Sequence, residues 1–265
     1  MNNLIGISGK IGSGKNTVAE IIQYLNCSPP SQDDINHMLN FIAGGKYKSN
    51  LNRYSNYQIK RFEDKLKDMV CILLGCTREQ LEDRDFKEKE LGEKWWYYKT
   101  SNGLVSYTDY EAMRPLVEFK HDEELIKLTP LKLLQLFGTN CGIDIIHPNI
   151  WINALFADYK SPCYDAETQK PCSCMGQMCG KPLNWIITDV RFPDEVKAIE
   201  SRGGIVIRVN NKNFEEKAIK HFGKTPGHIS ETALDNHDFK YVIENDGSLE
   251  ELIEKVKQLK LTNDE

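Results

Sequence analysis

Apolar residues in this chain fall into short blocks whose spacing alternates between that of a buried strand and that of an amphipathic helix. Leu4 to Ser8, LIGIS, is a mostly apolar run that ends in the glycine-rich GKIGSGKNT of residues 9–17. Val18, Ile21, Ile22 and Leu25 then recur at helical spacing, so the predicted unit is strand, loop, helix. Gln58 to Arg61 predicts a short strand, and Phe62, Leu66, Met69, Val70, Leu73 and Leu74 predict a helix ending at Gly75. Thr77 and Gln80 have capping-box spacing for a further helical turn. Between Trp95 and Tyr110, Asn102-Gly103 separates two strand-like aromatic halves, a hairpin signal. Thr129-Pro130, a favoured N-cap and first-turn pair, starts a helix expected to stop before Gly138, and another helix follows His147-Pro148.

The C-terminal half continues the alternation. Trp185 to Ile187 reads as a buried strand ending in TDVRF, and Pro193 to Arg202 as a short helix stopped by Gly203-Gly204. Residues 204–209, GIVIRV, and Tyr241 to Glu244 are further strands, and Ser248 and Glu251 cap a last helix that buries Leu249, Leu252, Ile253, Val256 and Leu259. Short apolar strands alternating with helices predict an α/β three-layer sandwich, a parallel sheet with helices on both faces. Ligands bind such sheets at the carboxyl ends of the strands. Two polar segments, 28–56 and 210–238, interrupt the pattern; the first reads as an insertion or mobile loop, the second as a lid or a solvated loop.

Composition narrows the class. Of 265 residues, 40% are apolar and 28% charged, the balance of a globular protein with a full core. No run approaches the roughly 18 apolar residues of a membrane span, and no signal-peptide pattern opens the chain, so a cytoplasmic protein is expected. The net charge of −5 repels a nucleic-acid backbone and argues against binding that polymer.

The candidate chemistry lies in two loops. Gly9-x4-Gly14-Lys15 matches the phosphate-binding loop, in the strand-before, helix-after context that its mechanism needs. Gly9, Gly12 and Gly14 let backbone N–H groups turn inward around a polyphosphate, with Ser13 between them. The helix dipole and Lys15 complete the cradle. The next position, ordinarily a serine or threonine that holds Mg²⁺, is Asn16, followed by Thr17. Asn16 can face the ion through its water shell. In TDVRFPDE, residues 188–195, Asp189 and Arg191 alternate on one side of an extended chain. Asp189 there can hold Mg²⁺ or a substrate hydroxyl, and Arg191 can neutralise a transferring phosphate; an ordinary strand-end ion pair is the competing reading.

Four of the eight cysteines, Cys163, Cys172, Cys174 and Cys179, cluster between residues 160 and 183. Four thiolates can close a structural zinc site, although only Cys174 and Cys179 come near knuckle spacing; a redox-sensitive or unpaired thiol loop is the equal alternative, and a disulfide, which a reducing compartment disfavours, the third. The scattered Cys27, Cys71, Cys76 and Cys141 read as small buried apolar groups.

Taken together, GKIGSGKNT, FEDKLK at 62–67, LTPLKLLQLFGTN at 128–140, HPNIW at 147–151, WIITDVRFPDE at 185–195, GGIVIRV at 203–209, HISETALD at 228–235 and ENDGSLEELI at 244–253 resemble the phage-type deoxynucleoside monophosphate kinases. The blocks follow the family order over the whole chain. The resemblance implies one phosphate-loop kinase domain with a parallel sheet of about five strands, ATP with Mg²⁺ as donor and a deoxynucleoside monophosphate as acceptor. It further implies an acceptor-binding region over 57–145, with Lys67, Gln135, Arg191 and Glu195 as acceptor contacts and 210–238 as the lid. The sequence departs from the family pattern at Leu131 and near Ile143, apolar where basic residues are usual; Lys132 and Arg114 are the nearby cations. Other small-molecule kinases on this scaffold, acting on dephospho-coenzyme A or phosphomevalonate, and a weakly catalytic nucleotide-binding protein stay open as alternatives, as does a homodimer.

Overall fold

The computed structural model describes residues 3–27, 38, 42, 55–101, 103–114, 124–159, 184–213 and 232–259. The elements in chain order are β1 (Leu4–Ser8), α1 (Lys15–Leu25), β2 (Tyr57–Lys60), α2 (Asp64–Leu74), α3 (Arg78–Glu82), α4 (Arg84–Glu88), β3 (Trp96–Thr100), β4 (Gly103–Ser106), α5 (Tyr107–Met113), β5 (Glu124–Lys127), α6 (Pro130–Gln135), α7 (Ile150–Phe156), β6 (Asn184–Val190), α8 (Pro193–Glu200), β7 (Ile205–Asn210), β8 (Tyr241–Glu244) and α9 (Leu249–Gln258). They separate into two compact units, Met1–Phe62 with Ala154–Glu265, and Glu63–Asn153.

The first unit is a five-stranded parallel sheet in the order β2-β6-β1-β7-β8. β1 is central because LIGIS has no exposed position, so both of its faces can be covered. Ile5 and Ile7 point to the face covered by α1 and α9, where Val18, Ile22, Leu252 and Ile253 join the core. Gly6 points the other way: a Cβ there would stand 2.6 Å from Ile199 Cδ1, so the missing side chain lets α8 lie close on that face. Met38, inside the segment expected to be an insertion or mobile loop, is 1% exposed in the main core, and Ile42 packs beside it. The polar composition of the surrounding residues hid this anchor.

In the second unit, β4-β3-β5 form an antiparallel sheet, and Val70, Leu81, Ile126, Leu128 and Leu133 make the core. The hairpin pairs Thr100 with Gly103 as expected, with Asn102 outside the described residues. Its second strand ends early, at Ser106, because the Ser106 hydroxyl accepts from the Asp109 N–H and caps α5. β5 is a short strand that the pattern did not predict.

Two further expectations change. Met69 and Leu73 of α2 are 44% and 45% exposed, whereas Lys67 is only 6% exposed. The buried face instead carries Leu66, Val70, Cys71 and Leu74, and Lys67 is tolerated at its margin by carboxylate partners. The helix begun at Pro130 does not stop before Gly138 but continues over Leu136–Ile146 as a wider helix, whose last amide, His147 N–H, donates to the Gly142 carbonyl five residues back at 3.0 Å. Gly138 acts here as a packing glycine: Leu66 would lie 3.0 Å from an added Cβ, and the Trp151 indole N–H donates to its carbonyl at 2.8 Å.

Candidate active site

The phosphate loop leaves the carboxyl end of β1 and enters α1. Gly9, Gly12 and Gly14 have φ values of 153°, 74° and 98°, all in the region that favours glycine. A Cβ on Gly9 would meet the Val209 carbonyl at 2.4 Å and the Ser13 hydroxyl at 2.5 Å, so the loop is folded onto itself too tightly for a side chain. The Lys15 ammonium turns back over this loop and donates to the Gly9 and Lys10 carbonyls at 2.6 and 2.7 Å. Ser13 Oγ is buried and finds no hydrogen-bond partner among the described residues. A buried hydroxyl without a partner among the described residues, just before the N-terminus of α1, suits a phosphate oxygen.

β6 lies directly beside β1, and a bulge brings Ser8 opposite Val190 where Gly6 faces Ile187. The bulge falls at Thr188 and Asp189 and delivers Asp189 and Arg191 to the strand end that carries the phosphate loop. Asp189 Oδ1 accepts from the Phe62 N–H at 2.9 Å. Glu195 Oε2 accepts from the backbone N–H groups of Arg191 at 2.6 Å and Phe192 at 2.9 Å, closing the turn into α8. Burial pushes the Glu195 carboxyl up to about 7, with the Asp189 charge adding to the rise and the two amides opposing it.

Four residues outside the expected set, Asn245, Arg208, Asp235 and Lys10, shape this edge. Asn245, just after β8, donates from its side-chain amide to the Ser13 carbonyl at 2.8 Å, and its own N–H is held by the Asn210 carbonyl at 2.7 Å. Its amide nitrogen would stand 2.4 Å from a Cβ on Gly14, so Asn245 occupies the space that this glycine leaves. Arg208 bonds the Ser8 hydroxyl at 3.3 Å and Asp235 at 3.1 Å, and Lys10 approaches Asp235 at 3.7 Å. The only sequence signal for these was their membership in quoted blocks, since their partners lie far away along the chain.

Beyond the loop a cavity of about 400 Å³ opens among Thr17, Asn211, Asn213, Asn245, Asp246 and Leu249. Asp246 shapes its rim by accepting from the Lys212 N–H at 2.8 Å.

Of the expected site residues, Gly9, Gly12, Ser13, Gly14, Lys15, Asn16, Thr17, Asp189, Arg191 and Glu195 belong to the first unit. Lys67 and Gln135 belong to the second, on α2 and α6, two helices that pack together. Lys67 Nζ lies between Glu63 at 2.5 Å and Glu82 at 2.7 Å, and its charge holds the Glu82 carboxyl below the usual range against the effect of burial. Gln135 is exposed. Cys163, Cys172, Cys174 and Cys179, residues 214–231 of the lid expected over 210–238, and most of 28–56 lie outside the described residues. No group of three or more His, Cys, Asp or Glu side chains suited to a metal gathers among the described residues, and no described helix is long and apolar enough to cross a membrane.

A parallel sheet with a phosphate loop at its central strand and an acid and an arginine at the adjoining strand end defines a phosphate-loop phosphotransferase. The profile of the deoxynucleotide monophosphate kinase family matches residues 3–256, and the chain belongs to that family. Among similar proteins, the deoxynucleoside-5'-monophosphate kinase of Escherichia phage T5 is 26% identical over 221 residues, covering 74% of this chain and 70% of that protein. The deoxynucleotide monophosphate kinase of Escherichia phage RB69 is 28% identical over 164 residues, 59% of this chain and 54% of that protein.

Proposed function

We propose that this kinase transfers the γ-phosphoryl group of Mg²⁺-ATP to a deoxynucleoside monophosphate, giving the diphosphate and ADP. The observation that carries the residue assignment is the phosphate loop itself, with the buried Ser13 hydroxyl, which finds no partner among the described residues, and the Lys15 ammonium turned over the Gly9 and Lys10 carbonyls. On binding, Lys15 exchanges those carbonyls for β- and γ-phosphate oxygens, and the loop amides take the remaining charge. The cavity bounded by Thr17, Asn213, Asn245 and Asp246 receives the nucleoside end of ATP. Asn16, Thr17 and Asp189 are the residues to hold Mg²⁺, directly or through its waters, and the ion when bound neutralises phosphate charge.

Arg191 faces the charge that develops on the transferred group. Glu195 keeps that arginine in place by fixing the backbone on which it stands. Residues 57–145 serve as the acceptor-binding region, with Lys67, Gln135, Arg191 and Glu195 as contacts, and 210–238 serves as the lid. Most of the catalysis then comes from alignment and charge neutralisation, which loose phosphoryl transfer requires.

The test is ADP release, coupled to a spectroscopic readout, with Mg²⁺-ATP against dAMP, dCMP, dGMP, dTMP and their ribose counterparts. Turnover that requires a deoxynucleotide supports the assignment and names the base. ATP binding with silence across the panel refutes it.

A further inference from the structure

The two thiols at the end of α2 have no part in phosphoryl transfer, and the way this helix stops brings them together. Gly75 follows the last helical residue with φ 64°, and the Cys76 N–H donates to the Cys71 carbonyl at 3.1 Å. A bond from the second residue past a helix back to the residue five before it marks a Schellman stop. In that motif the side chains of those two positions meet, normally as an apolar pair. Here both positions are cysteine.

Three further observations point the same way. Both thiols are free and only partly buried, and both pack against the same cluster of Val70, Leu81, Ile126, Leu128 and Leu133. Burial raises the pKa of Cys71, and the charge and hydrogen bonding of the Cys76 thiol raise it further, an effect that requires the two groups to be close. The turn is also held from outside: Arg78 donates to the Asp64 carbonyl at 3.0 Å and to the carboxylates of Asp64 at 3.0 Å and Asp68 at 3.3 Å. Helix and following segment are therefore clasped before any covalent bond forms.

We infer that Cys71 and Cys76 form a redox-active dithiol that closes to an intrachain disulfide when the protein meets a peroxide. A backbone hydrogen bond of 3.1 Å between the two residues is compatible with the Cα separation of roughly 4.4–6.8 Å that a disulfide spans. Either thiol can make the first attack; written for Cys76, its sulfur bonds to one peroxide oxygen, the O–O bond breaks, and the other oxygen leaves as water. The Cys71 sulfur then displaces the hydroxyl of the Cys76 sulfenic acid, which leaves as a second water. Sulfur loses two electrons in total and the peroxide gains them. In a reducing compartment the bond is transient, the usual character of a disulfide there.

The site is independent of the kinase assignment, and its test reads chemistry alone. The full chain is treated with hydrogen peroxide, alkylated with iodoacetamide and digested with trypsin. Both cysteines fall in the single peptide from Asp68 to Arg78. The expected result is loss of both alkyl groups from that peptide, with a mass lower by two hydrogens than the dithiol form, and recovery of double alkylation after a reductant. Cys76→Ser is expected to leave Cys71 alkylated at the same peroxide dose. Double alkylation of the oxidised wild-type peptide, irreversible oxidation of either sulfur, or linkage of either to Cys27, Cys141 or the 160–183 cysteines overturns the inference.

Discussion

Glu195→Gln separates the hydrogen-bonding effect of this carboxyl from the effect of its charge. Oε2 accepts from the Arg191 and Phe192 amides at 2.6 and 2.9 Å, and a glutamine oxygen keeps both bonds. Burial is the main reason that the carboxyl is raised from 4.5 to about 7. Between those two values the folded chain holds a proton that the unfolded chain has released, so stability from this group is fully present below about pH 4.5 and lost as pH rises through about 7. A rise from 4.5 to about 7 corresponds to about 3 kcal/mol. Glutamine stays neutral throughout, so the variant is expected to match the parent near pH 4.5 and to exceed it by up to about 3 kcal/mol at about pH 8. Denaturant unfolding at a series of pH values measures this directly, provided the slopes agree. A variant less stable than the parent at high pH, or a difference that does not change with pH, refutes a buried, charge-penalised cap.

Lys15→Ala is expected to reduce kcat by at least about 100-fold with the fold intact by circular dichroism, because the lost charge acts on the transferring phosphate; near-parental turnover refutes the loop assignment. Asn245→Asp replaces the donor to the Ser13 carbonyl with an acceptor. It should cost about 1–3 kcal/mol of stability and raise the KM for ATP more than that for the acceptor, and equal changes in both KM values would refute a local effect on the loop. Lys67→Ala leaves Glu63 and Glu82 facing each other without their cation. A loss of about 2 kcal/mol by denaturant unfolding is expected, tempered by the partial exposure of both carboxylates, and an unchanged midpoint would remove the structural part assigned to this lysine.

Much of the local structure was legible in the sequence because its causes lie within a few residues of one another. Thr77 and Gln80 close a reciprocal capping box, Thr129 caps the helix begun by Pro130, Ser248 caps α9, and Gly75 ends α2 with the positive φ that its residue type permits. The phosphate loop belongs to the same group: strand, three glycines, lysine and helix are contiguous, so their order already specifies the cradle. The alternation of strands and helices also made the parallel sheet foreseeable.

Tertiary structure decided whatever depends on partners far away in the chain. Asn245 reaches the Ser13 carbonyl across 232 positions, and Phe62 meets Asp189 across 127, separations that no local periodicity reports. Lys67 looks like a surface lysine by type, yet two carboxylates converge on it and make burial tolerable. Gly138 carries the residue type of a helix stop, and only the neighbouring Leu66 and Trp151 show that the helix runs through it. Local preferences are worth about 1 kcal/mol or less per residue, so a few packed contacts or one satisfied buried charge are enough to override them.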